Sequence, residues 1–175
     1  MSSSLLYGLG IMSGTSLDGL DICYVEFKEN DDNYFKIINS KTFKYNSSWV
    51  NKLSNIHLKN DLEIKKIDLE YGLLISQKIM EFKKDNNISN LDFISSHGHT
   101  VKHKPPDYSI QIGNGKVIRE LTNVTTINDF RSQDIKLGGQ GAPLVPIGDK
   151  YLFGKYDSCL NLGGIANISF DYIGN

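Results

Sequence analysis

Between residues 61 and 86 the apolar side chains fall on one helical stripe, which divides two differently organised stretches of chain. Ile64, Ile67, Tyr71, Leu74, Ile75 and Phe82 recur at helical spacing, with Lys65, Lys66, Asp68, Glu70 and Lys83 off the stripe. Asn60 or Asp61 can cap its start. Ahead of it, residues 5–12, 22–27 and 34–43 read as three strands joined by short turns, an antiparallel meander. The first of these is almost continuously apolar, as in a strand covered on both faces. A shorter helix over 48–57 joins the meander to the long one. Beyond residue 86 the elements alternate: a strand over 91–96, a His- and Pro-rich loop to Pro106, an extended stretch over 108–112 and a helical 117–121. A β-branched strand over 124–127, a polar loop over 128–141 and a helix over 144–153 follow. Residues 158–162, a Gly163-Gly164 turn and residues 165–170 close the chain as a second strand–turn–strand unit. This order predicts an α/β fold. Residues 1–155 form a mixed five-stranded sheet with flanking helices, and residues 156–175 a hairpin that opens another unit.

The 175 residues are 39% apolar with a net charge of −1, enough for one cored domain and the start of a second. Lysines interleave with acids and amides, so there is no basic footprint for nucleic acid. No apolar run is long enough to span a bilayer. The N-terminus lacks the basic and apolar regions of a secretory signal. Cys23 and Cys159 are isolated thiols in apolar runs, which fits a reduced, cytoplasmic protein with buried cysteines.

The chemistry concentrates in the turn Met12-Ser-Gly-Thr-Ser-Leu-Asp-Gly-Leu-Asp21. Gly14 and Gly19 allow close approach, and the hydroxyls of Ser13, Thr15 and Ser16 join the backbone N–H groups as donors suited to phosphate oxygens. The spacing is neither that of a lysine-bearing P-loop nor that of a dinucleotide fingerprint. Asp18 and Asp21 would repel a bare anion, by about 4 kcal/mol for like charges 4 Å apart at a surface-like dielectric. A divalent cation between carboxylate and phosphate reverses that sign, so the turn implies Mg²⁺. A simple hairpin with an Asx cap is the alternative.

The segment Ile11-Met-Ser-Gly-Thr-Ser-Leu-Asp-Gly-Leu-Asp21 resembles the opening motif of the anhydro-N-acetylmuramic acid kinases, members of the actin- and hexokinase-like superfamily. Further blocks match in order: Ser96-His-Gly-His-Thr-Val-Lys-His103, Ile110-Gln-Ile-Gly-Asn114, Asp129-Phe-Arg-Ser-Gln-Asp134, Leu137-Gly-Gly-Gln-Gly-Ala-Pro-Leu-Val-Pro146 and Leu160-Asn-Leu-Gly-Gly-Ile-Ala-Asn167. The resemblance implies a ribonuclease H-like, actin-like ATPase lobe followed by the opening hairpin of a second similar lobe. It implies a sugar kinase of peptidoglycan recycling, which uses ATP and Mg²⁺ to phosphorylate 1,6-anhydro-N-acetylmuramic acid while water opens the anhydro ring. Gly14, Thr15, Ser16, Leu17, Asp18, Gly19, Leu20 and Asp21 would hold the nucleotide, with Gly163 and Gly164 as the second phosphate hairpin and Asp18 toward the metal.

For the sugar, Arg131 offers a planar fork to the lactyl carboxylate and Asp129 can accept from hydroxyls. An internal Asp129–Arg131 bridge is the alternative for that pair. His97 is a further candidate for sugar or loop positioning. His97, His99 and His103 do not make a convincing zinc set, since no Cys or carboxylate lies among them. The general base of the family stands in a Phe-Asp-x-Gly-Pro-Gly-Asn segment, and Asp171 lacks the Gly-Pro-Gly that should follow it. The resemblance therefore puts the base beyond Asn175, and no catalytic residue is assigned, with Asp129 or Asp134 only as fallbacks. The expectation is a kinase at full length and an inactive 175-residue chain. The alternatives are a non-catalytic sugar- or nucleotide-binding remnant, or a missing lobe supplied by another polypeptide. Expected partners are the small sugar, ATP and a second copy of the chain, with neither nucleic acid nor membrane.

Overall fold

A computed structural model of the chain describes residues 4–162 and 166–170. The meander is β1 (Leu5–Ser13), β2 (Gly19–Lys28) and β3 (Asp31–Lys44), paired antiparallel in sequence order. It leads through α1 (Ser47–Ser54) and a single 3₁₀ turn (Ile56–Leu58) into α2 (Asp61–Asp85). Then come β4 (Phe93–Lys104), β5 (Tyr108–Ile112), α3 (Gly115–Thr122) and β6 (Thr125–Asn128). The chain continues through α4 (Ser132–Lys136) and α5 (Val145–Phe153) to β7 (Ser158–Asn161) and β8 (Asn167–Phe170).

Six strands form the main sheet, in the order β3-β2-β1-β4-β5 with β6 also paired to β4, and β7–β8 is a separate two-stranded sheet. The α/β class and the separate hairpin agree with the sequence, but the expected count of five strands and the loop after residue 96 need correction. β4 runs on to Lys104 because its far half finds an antiparallel partner, from His99 opposite Ile112 to Lys104 opposite Tyr108. From His99 to Lys104 the β4 half of that hairpin is polar apart from Val101 and carries no apolar period to read, whereas β5 alternates Tyr108, Ile110 and Ile112 with polar residues. The stretch 128–141 likewise is not all loop, since α4 occupies its middle.

α2 starts on a capping box: the Asn60 side chain accepts from the Glu63 N–H at 3.0 Å and Glu63 accepts from the Asn60 N–H at 3.1 Å. Its stripe Ile64, Ile67, Tyr71, Ile75, Ile79 and Phe82 is buried in one cluster with Leu9, Ile11, Leu20, Ile22 and Ile94 of the sheet. Burying each such side chain favours folding by about 1.5–3 kcal/mol. The opposite sheet face is thinly covered. There Phe35 of β3 meets Phe153 of α5 edge-on at 6.1 Å, while Met12, Ile37 and Ile127 stay exposed. Among the described residues, no helix is long and apolar enough to cross a membrane.

What positions the site is the run of parallel strands. β4 lies parallel to both β1 and β6, and Ile11, Ser96 and Asn128 stand opposite one another across the three. The end of β1, His97 within β4 and Asp129 just past β6 therefore lie near one level of the sheet.

Candidate active site

The turn between β1 and β2 is tight. Leu17 takes a left-handed conformation (φ 59°) and its N–H reaches the Gly14 carbonyl at 3.4 Å. The Ser16 hydroxyl donates to Asp18 at 2.6 Å. That bond, followed by the backbone N–H groups of Asp18 and Gly19, holds the Asp18 carboxyl below the ordinary carboxylate range, so it is charged at neutral pH. Thr15, Ser16 and Asp18 are exposed. The last three motif residues belong to the sheet instead. A Cβ on Gly19 would lie 2.7 Å from the Thr42 methyl and 2.8 Å from the Phe43 carbonyl, Leu20 is buried in the core, and Asp21 accepts from the Thr42 hydroxyl at 2.5 Å.

A cavity of about 380 Å³ opens between β4, β5, the start of α3 and the residues after β6. Its walls include Asp68, Ser96, His97, Gln111, Asn128 and Asp129. Arg131 joins it through His97, since one guanidinium nitrogen lies 2.8 Å from His97 Nε2 and the other donates to the Gly141 carbonyl at 2.6 Å. A guanidinium can only donate, so Nε2 accepts and the His97 proton sits on Nδ1, 3.0 Å from the Gly98 carbonyl. His97 is neutral: burial above all, then the adjacent Arg131 charge, lowers its pKa against the opposing Gly98 carbonyl. Arg131 Nε is buried without a protein partner.

Asp129, left-handed at φ 58°, accepts from the Ser132 hydroxyl at 2.7 Å and the Ser132 N–H at 3.3 Å. The internal Asp129–Arg131 bridge is not among the ion pairs of the described residues. Asp134 accepts from the Gly141 N–H at 2.6 Å. Arg131 and Asp134 thus grip the two sides of Gly141 and fold the glycine-rich stretch back on α4.

His97 and Asp129 thus line one cavity and Arg131 is bonded to His97 behind that lining, while the Gly14–Asp18 turn follows the neighbouring β1. Gly163 and Gly164 lie outside the described residues, and so does the stretch from Asp171 to Asn175. The three histidines diverge: His99 is buried against Ser13, His103 is exposed near Ser109, and no group of three metal-ligating side chains occurs among the described residues.

Sequence reasoning missed Asp68. Its carboxylate accepts from the Gly113 N–H at 2.8 Å and the Asn114 side chain at 2.7 Å, while Asn114 caps α3 by accepting from the Val117 N–H at 3.1 Å. The only signal was an acid off the α2 stripe, and its partners lie 45 and 46 positions away. Ser96 opens one of the matching motif blocks, but nothing in the sequence gives it a role. Its hydroxyl oxygen and Gln111 Oε1 are buried without partners in the cavity wall, an arrangement that a hydroxyl- or amide-bearing ligand would satisfy.

A family model described as anhydro-N-acetylmuramic acid kinase matches residues 6–172. The chain is 37% identical over 172 residues to an anhydro-N-acetylmuramic acid kinase of Photobacterium profundum, covering 92% of this chain and 45% of the relative. The corresponding protein of Vibrio vulnificus is 37% identical over 180 residues, covering 97% of this chain and 48% of its own length. That of Sulfurimonas denitrificans is 32% identical over 171 residues, covering 92% and 46%. The chain spans about half the length of the curated relatives it matches.

Proposed function

This chain belongs to the anhydro-N-acetylmuramic acid kinase family, and from that premise we propose that the protein phosphorylates 1,6-anhydro-N-acetylmuramic acid from ATP. The phosphoryl group goes to the 6-oxygen as water adds at the anomeric carbon and opens the anhydro bridge, leaving N-acetylmuramic acid 6-phosphate. The reaction belongs to peptidoglycan recycling in the cytoplasm. One observation carries the reading: Ile11, Ser96 and Asn128 stand level on three parallel strands. The turn suited to phosphate and the cavity suited to a sugar therefore leave the same carboxyl edge, where open α/β sheets bind ligands.

On the acceptor side, the Arg131 guanidinium is fixed by the Gly141 carbonyl and His97 Nε2, and its remaining N–H groups, the unpartnered Nε–H among them, are assigned to the lactyl carboxylate. Asp129 and the unpartnered Ser96 hydroxyl take sugar hydroxyls or the acetamido group. On the donor side, the Gly14–Asp18 turn faces the phosphates, and Gly19 to Asp21 hold it to β3. Gly163 and Gly164 complete the nucleotide site in this reading. The residues fit Mg²⁺: Asp18 is an exposed, ionised oxygen donor, and that ion takes one or two carboxylates plus phosphate oxygens rather than a protein cage. When bound it offsets phosphate charge.

Neither fallback carboxylate is given the general-base role, because Asp134 holds the Gly141 N–H and Asp129, bonded to Ser132 through one oxygen, is assigned to binding sugar hydroxyls. The 175-residue chain alone is thus proposed to bind without turning over. Calorimetry with the anhydro sugar and Mg·ATP separately, and mass spectrometry of a mixture of all three, test this. Binding of neither ligand refutes the kinase reading, and steady sugar phosphate formation refutes the inactivity of the isolated chain.

A further inference from the structure

Directly beneath the phosphate turn lies a buried polar chain that the proposed chemistry does not use. Ser13, the last residue of β1, is 2% exposed, His99 3% and Tyr71 0%. The Tyr45 hydroxyl donates to Ser13 Oγ at 2.8 Å and lies 2.5 Å from the Tyr71 hydroxyl, while Ser13 Oγ is 3.1 Å from His99 Nδ1. Each hydroxyl has one proton, so with Tyr45 donating to Ser13 the Tyr71 hydroxyl donates to Tyr45. Ser13 completes the relay by donating to His99 Nδ1 when the imidazole proton is on Nε2. Burial keeps the ring neutral, with its pKa lowered to about 4.

An apolar interior would fill this space without the cost of desolvating four polar groups. What the chain adds is direction. It ties the residue before Gly14 to α2 through Tyr71, to the end of β3 through Tyr45 and to β4 through His99. Backbone pairing cannot do this alone, because the β1–β4 register is irregular between Ile11 and Ser13. Two residues before His99, His97 accepts from Arg131, and Gly98 between them is left-handed at φ 70°. One short segment therefore touches both the donor turn and the acceptor arginine.

We infer that His99 and Tyr45 are positioning residues for the phosphate turn, acting through the Ser13 hydroxyl. The inference rests on the kinase reading only for the ligand that the turn holds. It is tested by amide hydrogen exchange at residues 14–18 and by binding of Mg·ATP and the anhydro sugar. The proteins compared are the parent chain, His99→Leu, His99→Gln and Tyr45→Phe. Turn exchange rises about tenfold in His99→Leu and Tyr45→Phe, the equivalent of one net hydrogen bond. His99→Gln restores it, because a carboxamide oxygen accepts the Ser13 hydroxyl. Mg·ATP affinity falls with the same pattern while sugar affinity is unchanged, a split that general loosening would not produce.

If His99→Leu does not fold, Tyr45→Phe, which removes one oxygen and keeps the ring, decides the matter. Unchanged turn exchange in folded Tyr45→Phe overturns the inference, as does an Nδ1–H tautomer of His99 by ¹⁵N NMR in the parent chain. A parent chain that binds no Mg·ATP but shows the exchange pattern refutes the kinase reading and leaves the positioning role standing.

Discussion

Replacing Asp68 with alanine should destabilise the domain more than any other single change at a half-buried position around the cavity. Its carboxylate accepts two hydrogen bonds, from the Gly113 N–H at 2.8 Å and the Asn114 side chain at 2.7 Å. Bonds to a charged acceptor contribute about 1.5–3 kcal/mol each, and partial exposure of Asp68 reduces the pair to about 2–4 kcal/mol. For a domain of this size that lowers Tm by roughly 5–15 °C. Asn114→Ala removes one of the two bonds and the cap on Val117 N–H, for about 2–3 kcal/mol. Because the two residues share a bond, the double variant should fall short of the sum by about 1–2 kcal/mol. Asp68→Asn keeps one acceptor oxygen and should lie midway. Urea unfolding of these variants and the parent, with m-values compared, provides the measurement. A loss below about 1 kcal/mol for Asp68→Ala, or strict additivity with Asn114→Ala, would refute the claim that this carboxylate organises the cavity wall.

Other outcomes follow from the same geometry. Burial holds His99 near 4 against an ordinary 6.5, so between those values the unfolded chain takes up a proton that the folded chain does not. Stability should be fully present above pH 6.5 and decline by up to about 3 kcal/mol as pH falls to 4. Urea midpoints should show His99→Gln flatter across that window, and parallel curves would contradict this. Gly98→Ala adds a methyl group 2.4 Å from the Ile112 carbonyl at a left-handed position, and should cost about 2–4 kcal/mol by the same assay. Arg131→Lys removes the fork that spans His97 and Gly141, and calorimetry should show sugar affinity down at least about tenfold. Sizing chromatography should find the isolated chain associating, with Ile37, Leu160, Ile168 and Phe170 all more than half exposed.

The sequence was most readable where local periodicity and tertiary burial agree. The α2 stripe, its Asn60 start and the meander follow from spacing and capping chemistry, and the turn at Gly14 stands out by composition. The far half of β4 was not readable, because a polar edge hairpin is stabilised by its partner strand rather than by a buried face. Asp68, Tyr45 and Tyr71 were hidden for a related reason. Asp68 reads as an exposed acid and Tyr71 as one more apolar-stripe residue of α2, Tyr45 falls just past β3 in no motif, and only the fold brings them to Asn114 and Ser13. Arg131 and His97 were each singled out, but their contact, and the burial that keeps the histidine neutral, could not be seen in one dimension.

The level alignment of Ile11, Ser96 and Asn128 also bears on how such a gene can drift. Adding or losing one codon within β1, or in the part of β4 or β6 before that level, moves everything beyond it by about 3.3 Å and turns each following side chain to the other face. One of the turn, His97 and Asp129 would then stand at a different height from the other two. Length changes should be tolerated best outside this shared ruler, such as at the hairpin tips around Asn30 and Asp107. The distance from the start of each parallel strand to its functional residue should tolerate them least.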